Sequence, residues 1–394
     1  MNILHSTTDW LALTKSWIYD QIRFMPEDVE QTVWCDRLID GPQTEWHGRI
    51  WVCYPTIFER IFYKINRFSW HPLPIYGRCN NFSEFDIVFS HFGYRAWRDY
   101  QYVKGRAIKK VVRFYGCDIG VSPKQPGWLD LYKKIFDEYD LLICEGPYMA
   151  KELESLSAPR EKIKWLHLGI DPALLTKDVS PTEELIDPLC ILIAGTFTEK
   201  KGIEYALEGV LQFIRENRQK VKLTLVGDAN PYAKDQLETK YRISQIIEQL
   251  RKEKNIEVIQ TGYISLSTLI TLMQKNLLFI SPSVTAKNGD IEGGFPVTLT
   301  HAAAQGMILI GTDHCDLPEI VRDRQNGFIC RQNSSSDVFE MLKMISKMNL
   351  IDTNAMRNRS VEIVRCEFDQ VKLGYELRNM FNGLMGHSVS PRAL

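Results

Sequence analysis

Short apolar runs alternate with longer amphipathic segments along most of the chain. Each run is rich in β-branched or aromatic residues, which predicts a short buried strand, and the segments between them have the spacing of helices, as in Lys15–Met25 and Leu129–Tyr139. Regular strand–helix alternation predicts largely parallel sheets with helices on both faces. The predicted strands are Asn2–His5, Val33–Cys35, Arg49–Tyr54, Asp86–His91, Val111–Phe114, Leu141–Cys144, Cys190–Ala194, Lys222–Gly227, Glu257–Gly262, Leu277–Ser281 and Met307–Thr312.

One polar, proline-containing stretch, Asp171–Asp187, interrupts this alternation and has the character of a linker. A chain of 394 residues is also too long for one ordinary core and suits two domains. We therefore predict an α/β protein with two doubly wound, Rossmann-like domains. The predicted ranges are a first domain at 1–175, a linker at 176–188, a second domain at 189–375, and a helix end with a loose tail at 376–394.

Composition and charge narrow the class of protein. Apolar residues make up 44% of the chain and the net charge is −1, which describes a globular protein without the cationic excess that nucleic-acid binding requires. The nine cysteines include no Cys-x-x-Cys pair and are expected to be reduced thiols. The first residues do not resemble a signal peptide, and no apolar run approaches the ~20 residues that span a bilayer. We therefore expect a cytoplasmic location, with contact at the inner face of the membrane left open.

The stretch Ser281–Gly327 carries the most chemical information. It contains an acidic residue, a Gly-Gly turn, a proline, a small-residue helix and an apolar strand, in an order that suits a ligand at the carboxyl edge of a doubly wound sheet. It resembles the donor-binding signature of retaining GT-B glycosyltransferases of family 4, and is similar to the colanic-acid and exopolysaccharide members. The resemblance implies the GT-B architecture, two Rossmann-like domains facing a central cleft, and a nucleoside-diphosphate sugar as donor.

A second motif lies where the first strand of the second domain ends. The chain passes from Gly195 through a loop to Lys201 and Gly202, which open a helix. A helix N-terminus attracts phosphate, and a lysine adds a point charge. The family's loop has Gly-Arg followed by Lys-Gly, so the resemblance implies Lys201 on the diphosphate, with Thr196 in place of the arginine.

The remaining donor residues follow from the same resemblance. A carboxylate beside a glycine loop can accept hydrogen bonds from two sugar hydroxyls, and Glu292 stands at the family's sugar-binding glutamate. His301 stands where the family has a second glutamate for the ribose, and imidazole cannot match the two-oxygen grip of a carboxylate. The other implied donor-site positions are Gly293, Gly294, Phe295, Pro296, Gly227 and Gly262.

The first domain resembles the family at the ends of three strands. His91 and Asp118 follow predicted strands and resemble the His-Phe-Gly and His-Gly-x-Asp segments, with Tyr115 in place of the second histidine. Glu145 matches the turn before the next helix. The resemblance implies catalytic roles for Glu292, Lys201 and Asp118, and substrate-binding roles for His91, Tyr115 and Glu145.

The segment Arg60–Arg113 has eleven Lys or Arg against three acidic residues, with aromatic residues between them. Solvated helix faces and ordinary core aromatics explain such a pattern. A surface for anionic lipid headgroups or a lipid-diphosphate acceptor explains it equally well, and both interpretations stay open.

The expected function is retaining transfer of a hexose from a nucleoside-diphosphate sugar, with a UDP-sugar favoured over a GDP-sugar, to a glycan or lipid-linked acceptor in polysaccharide or glycolipid synthesis. No metal or further cofactor is expected, because the chain has no Asp-x-Asp, and it also lacks Walker A, Gly-x-Gly-x-x-Gly and Gly-x-Ser-x-Gly motifs. Thr196, His301 and Tyr115 depart from the family, so an inactive GT-B fold that acts as a binding or partner subunit is an alternative. A GT-B epimerase or phosphorylase is a third interpretation.

Overall fold

The structure, a computed structural model, describes residues 1–11, 16–39, 46, 48–52, 82–177, 179 and 185–387. It divides into two compact units. The first comprises Met1–Gly169 together with Gln370–Leu394, and the second comprises Ile170–Asp369. The part of the segment Arg60–Arg113 that precedes Phe82 lies outside the described residues, as does Lys15 at the start of a predicted helix.

The first unit contains a seven-stranded parallel sheet with the strand order β3-β2-β1-β4-β5-β6-β7. The order reverses between β1 and β4, which are paired with each other in the sheet. The chain leaves β1 towards one edge of the sheet and leaves β4 towards the other. The strands are β1 Asn2–Trp10, β2 Glu30–Leu38, β3 Arg49–Val52, β4 Ile87–His91, β5 Lys109–Arg113, β6 Leu141–Cys144 and β7 Ile163–Trp165.

Helices cover both faces of this sheet. One face packs against the last described helix, whose Leu373, Leu377 and Phe381 join the cluster around Ile3 and Phe89. Those three positions recur at helical spacing, so a single stripe of the helix is buried. The α-helices among the described residues of this unit are Ser16–Arg23, Gly93–Val103, Gly116–Gly120, Trp128–Glu138, Pro147–Ser155 and Gln370–Leu384.

The second unit contains a six-stranded parallel sheet with the order β10-β9-β8-β11-β12-β13. This is the doubly wound order of dinucleotide-binding domains, and its reversal lies between β8 and β11. The strands are β8 Leu189–Ala194, β9 Val221–Val226, β10 Ile256–Gly262, β11 Leu278–Ser281, β12 Ile308–Thr312 and β13 Gly327–Cys330.

Two apolar clusters fill the two faces of the second sheet. One includes Ile191, Leu223 and Ile280, and the other includes Leu192, Phe279 and Leu309, as expected for strands that are buried on both sides. The α-helices of this unit are Ile203–Glu216, Lys234–Leu250, Leu266–Gln274, Val297–Ala304, Leu317–Ile320, Ser335–Ile345 and Leu350–Glu367.

Every strand predicted from the sequence overlaps an observed strand, and the predicted α/β fold with two Rossmann-like units is confirmed. The sequence did not predict the edge strands β7 and β13, which have only three and four residues. The helix Gln370–Leu384 crosses the predicted boundary at 375/376, and contacts group it with the first unit. Among the described helices, none is both long and apolar enough to cross a bilayer.

Candidate active site

The predicted donor residues meet at the reversal of strand order in the second sheet. Lys201 lies in the loop after β8, and Glu292 lies in the loop after β11. These strands are hydrogen-bonded neighbours, and the connections that leave them run to opposite faces. A crevice at the carboxyl ends of the strands forms at such a point, so two residues 91 positions apart come together there.

Lys201 forms an ion pair with the buried carboxylate of Glu292. Lys201 Nζ lies 2.8 Å from Glu292 Oε1 and 3.0 Å from Oε2, and Ser283 Oγ donates to Oε1 at 2.8 Å. Burial by itself would raise the pKa of Glu292, but the charges of Lys201 and Lys200 and the two hydrogen bonds outweigh it and lower the pKa to about 2. Glu292 is therefore a fixed carboxylate at neutral pH.

His314 fixes the backbone of the same loop. The backbone N–H of Glu292 donates to His314 Nε2 at 3.2 Å, and His314 Nδ1 lies 3.1 Å from Gln332 Oε1. Because Nε2 accepts, the proton is on Nδ1 and faces Gln332. Burial lowers the pKa of His314, which keeps the imidazole neutral and preserves this arrangement.

A second lysine lies beside the first. Lys200 Nζ lies 3.2 Å from Asp290 Oδ1 and donates to the Ile291 carbonyl, so two consecutive lysines hold two acidic residues of one loop. Thr196, at the position of the family's arginine, is half-buried and carries no charge. Sequence reasoning did not identify Lys200, Asp290, Ser283 or His314, although the Lys-Lys-Gly run and the positions after β11 and β12 were visible signals.

The site glycines have steric reasons to be glycine. Gly227 has φ +119°, and a Cβ there would lie 2.0 Å from the Gly195 carbonyl oxygen. Gly202 has φ +59°, and a Cβ there would lie 2.0 Å from the Pro282 carbonyl oxygen. Gly227 also donates its N–H to the Gly262 carbonyl at 2.9 Å, so the ends of β8, β9 and β10 are tied together.

The loop Gly293–Pro296 leads directly into the helix Val297–Ala304. Gly293 has φ +83°, and the Gly294 carbonyl accepts from the Asp316 N–H at 3.3 Å. The side chain of Phe295 packs in the core with its ring centroid 5.5 Å from that of Phe368. Only the backbone of Phe295 is therefore left for the predicted ligand contact.

His301 is buried in that helix. Its side chain is 6% exposed, and neither ring nitrogen has a hydrogen-bond partner among the described residues. Burial lowers the pKa of His301 to about 4, against a smaller opposite effect of the nearby Val297 backbone, so the imidazole is neutral near pH 7. A buried ring with no more than one weak contact of this kind is uncommon in a settled core.

In the first unit, the reversal of strand order carries a chain of hydrogen bonds. Tyr115 Oη lies 2.9 Å from His91 Nδ1, His91 Nε2 lies 3.3 Å from His5 Nδ1, and His5 Nε2 lies 3.1 Å from Gln31 Oε1. Burial lowers the pKa of His5 to about 3 and that of His91 well below its ordinary value, so both rings are neutral. The predicted residues His91 and Tyr115 are thus brought together, each with its polar atoms directed inward.

Asp118 holds two loops of the first unit. Its side chain is fully buried, Oδ2 accepts from the Gly93 N–H at 2.8 Å, and Oδ1 accepts from the Tyr115 N–H at 2.7 Å. Burial raises the pKa of Asp118 to about 7, although these backbone bonds oppose the shift. Its observed contacts are structural, and the catalytic role given to it stays a prediction. Glu145 follows β6 and is buried. Burial raises the pKa of Tyr115, and the nearby charge of Glu145 raises it further.

Several cations of the basic segment are paired within the first unit. Asp36 binds both Arg95, at 2.8 Å, and Arg98. Lys109 pairs with Asp140, which immediately precedes β6, and Lys110 pairs with Glu138 at the end of the preceding helix. The described half of the segment therefore offers fewer free charges than its sequence indicates.

Two family models match consecutive parts of the chain. The model described as Glycosyl transferases group 1 matches residues 178–361, and the model described as Glycosyltransferase Family 4 matches residues 16–174. The glycosyltransferase WcaL of Escherichia coli (strain K12), named for colanic acid biosynthesis, is 26% identical over 76% of this chain and 71% of its own length. The amylovoran biosynthesis glycosyltransferase AmsK of Erwinia amylovora is 25% identical over 66% of this chain and 61% of its own length.

Among solved structures, the chain is similar to the Anabaena protein Alr3699/HepE in complex with UDP-glucose. The TM-score is 0.74 at 16% identity, and the likeness covers 97% of this chain and all of the other. At this level of identity the likeness concerns the fold alone, and it confirms the two-unit α/β architecture.

Proposed function

The chain belongs to the GT-B glycosyltransferases of family 4, and on that premise we propose that it is a retaining, metal-independent hexosyltransferase that uses a nucleoside-diphosphate sugar. The observation that carries the proposal is the ion pair between Lys201 and the buried carboxylate of Glu292, at the switch point of the second sheet. Lys201 is a cation suited to a diphosphate, and Glu292 is a fixed carboxylate suited to sugar hydroxyls. The two groups lie 2.8 Å apart at the place where doubly wound sheets bind ligands.

In this proposal Lys201 and the backbone of Gly293–Pro296 bind the diphosphate. Negative charge develops on the diphosphate as it leaves the sugar, and preorganised positive charge stabilises that transition state. Lys200, held 3.2 Å from Asp290, adds a second positive charge near the loop. When donor binds, Lys201 exchanges part of its contact with Glu292 for the diphosphate.

Glu292 orients the hexose. Its carboxylate is ionised, and Ser283 and the His314-anchored backbone hold it in place, so it loses little freedom when it accepts sugar hydroxyls. The unsatisfied ring nitrogens of His301 support the placement of this residue at the ribose, where hydroxyl groups would supply partners.

The transfer proceeds with attack on the face from which the diphosphate leaves. A diphosphate oxygen takes the proton of the acceptor hydroxyl as the new glycosidic bond forms and the bond to the diphosphate breaks. No protein nucleophile is then required, which agrees with the use of Glu292 as a positioning carboxylate.

The acceptor is a glycan or lipid-linked saccharide, bound by the first unit on the cytoplasmic side of the membrane. The names of WcaL and AmsK support a role in exopolysaccharide synthesis. The structure of HepE holds UDP-glucose, which supports a UDP-sugar as donor.

Calorimetric titration of UDP, GDP and ADP against the purified protein, in the presence of a chelator, tests the proposal. We expect one nucleotide to bind, and we expect Lys201→Ala to lose that binding. Lys222→Ala, a charge change at a half-exposed lysine on β9, is the matched control and should bind as the wild type does. Absence of binding by every nucleotide would instead favour the inactive GT-B alternative.

A further inference from the structure

Arg113 is a buried cation without a counter-ion in the described part of the chain. It is the last residue of β5, its side chain is fully buried, and Nη2 donates to the Leu166 carbonyl. Nε and Nη1 have no hydrogen-bond partner there. Arg113 is not one of the residues assigned above to the donor site or to substrate binding.

The position of Arg113 in the sheet places it beside the buried hydrogen-bond chain of the first unit. Arg113 and His91 are register partners on adjacent parallel strands, so their side chains leave the sheet on the same face. The guanidinium carbon lies 5.8 Å from the centroid of the Tyr115 ring. Arg113 therefore lies at the carboxyl edge of the first sheet, where doubly wound domains bind their ligands.

The other buried polar groups of this face are uncharged, so they avoid the unfavourable free energy of burying a charge, which applies to Arg113. His5 and His91 are neutral because burial lowers their pKa values, and they satisfy each other with hydrogen bonds. Arginine cannot lose its proton in a protein, so Arg113 stays charged. A buried charge without a partner is strongly unfavourable, and this arrangement implies that an anion belongs there.

Gln21 is a second unsatisfied group at the same place. It is 1% exposed, and neither its amide nitrogen nor its amide oxygen has a partner among the described residues. Its side chain nevertheless lies near the Tyr115 hydroxyl: burial raises the pKa of that group, and the Gln21 side chain lowers it as a weak hydrogen bond does. Arg113 thus presents two nitrogens without partners, and Gln21 an amide with at most one weak contact, around one tyrosine, and buried groups of this kind are normally paired.

We propose that Arg113 and Gln21, beside His91 and Tyr115, bind an oxyanion carried by the acceptor, either a carboxylate or a phosphate. Guanidinium groups bind both through charge-assisted hydrogen bonds. The inference rests on the proposed transferase function, because it assigns the first unit to the acceptor. It narrows the acceptor to an acidic saccharide or a phosphorylated one, and it excludes a neutral sugar as the group recognised here.

Thermal unfolding of the full chain tests the inference. Glucuronate and glucose 6-phosphate supply the two oxyanions, and glucose at the same ionic strength is the neutral control. We expect one of the two anionic sugars to raise the melting temperature of the wild type and glucose to have no effect. The sugar that acts identifies the oxyanion as carboxylate or phosphate.

Arg113→Met separates this site from a structural arginine. Replacement of a buried, unpaired charge by an apolar side chain should leave the melting temperature without ligand equal to or above that of the wild type, and should abolish the response to the anion. Arg113→Lys keeps the charge and should retain a weakened response. Arg98→Met, which removes an arginine that is paired with Asp36, is the matched control and should respond as the wild type does.

Three results would overturn the inference: no response of the wild type to either anion, an equal response of Arg113→Met, or a clear loss of stability in Arg113→Met without ligand. UDP titration of the same variants keeps the two proposals apart. Arg113→Met should bind UDP normally. Failure of the wild type and all variants to bind nucleotide, with the anion response intact, would count against the transferase proposal and would leave an oxyanion site that is not an acceptor site.

Discussion

Replacement of Glu292 by Gln should remove a pH-dependent part of the stability of the second unit. The side chain is 7% exposed, and its pKa falls from 4.5 to about 2 in the folded protein. A difference of this size corresponds to about 3 kcal/mol that favours the folded state when the carboxylate is ionised. The Glu292→Gln variant would keep the shape of the side chain and lose the charge that Lys201 binds.

The sign follows from linkage. Because the folded pKa lies below the unfolded one, the stabilisation is complete above about pH 4.5 and is lost as the pH falls towards 2. Between pH 7 and pH 3, the wild type should lose about 2 kcal/mol of the stability that the Glu292 carboxylate contributes. The variant has no such contribution to lose. The difference in unfolding free energy between the two proteins should therefore shrink by that amount.

Urea unfolding followed by circular dichroism at pH 7, 5, 4 and 3 measures this difference. Glu257→Gln, at an exposed carboxylate on β10, is the control and should follow the wild-type pH profile. Parallel pH profiles for the wild type and Glu292→Gln would refute the reasoning, because they would mean that the ion pair with Lys201 contributes nothing to the folded state.

Three further predictions concern function and backbone geometry. Glu292→Ala should lower transfer by at least about 100-fold while nucleotide affinity stays within a few-fold, and product assays beside UDP calorimetry measure both; full transfer activity would refute its placement at the sugar. His301→Glu should tighten nucleotide binding about tenfold, because a carboxylate accepts two ribose hydroxyls; unchanged or weaker binding would show that residue 301 is not at the ribose. Gly202→Ala should destabilise the protein by more than about 2 kcal/mol, because φ is positive and a Cβ would collide with Pro282. Gly262 also has a positive φ but open space around it, so Gly262→Ala should destabilise the protein by about 1 kcal/mol. Equal losses in urea unfolding would contradict the steric argument.

The strand pattern could be predicted from the sequence because central parallel strands are buried on both faces and appear as continuous apolar runs. Ile163–Trp165 escaped prediction for the opposite reason, since an edge strand of three residues leaves two of them exposed and has no apolar signal. The meeting of Lys201 and Glu292 followed from the order of motifs, because each motif ends a strand at the switch point. The position of His314 after β12 indicates only that it lies at the edge of the sheet. Its role as a hydrogen-bond acceptor could not be predicted, because its partners Glu292 and Gln332 come from two different loops that tertiary packing brings together.

The three departures from the family pattern differ in their physical consequences. Thr196 removes a charge, yet Lys200 supplies one from the same loop, held at 3.2 Å from Asp290. His301 keeps two polar atoms that lack partners in the described structure, so a ligand hydroxyl would improve its environment. Tyr115 is the most altered position, because its hydroxyl is committed to His91 and burial raises its pKa far above neutrality.

A tyrosine in that state cannot act as a base, and its hydroxyl is already hydrogen-bonded to His91. If the protein transfers sugar, the reaction therefore does not use a basic group at residue 115. Tyr115→His would then change the rate little. A large gain in transfer rate in that variant would mean instead that the tyrosine limits the enzyme, and would move the chain towards the inactive GT-B alternative.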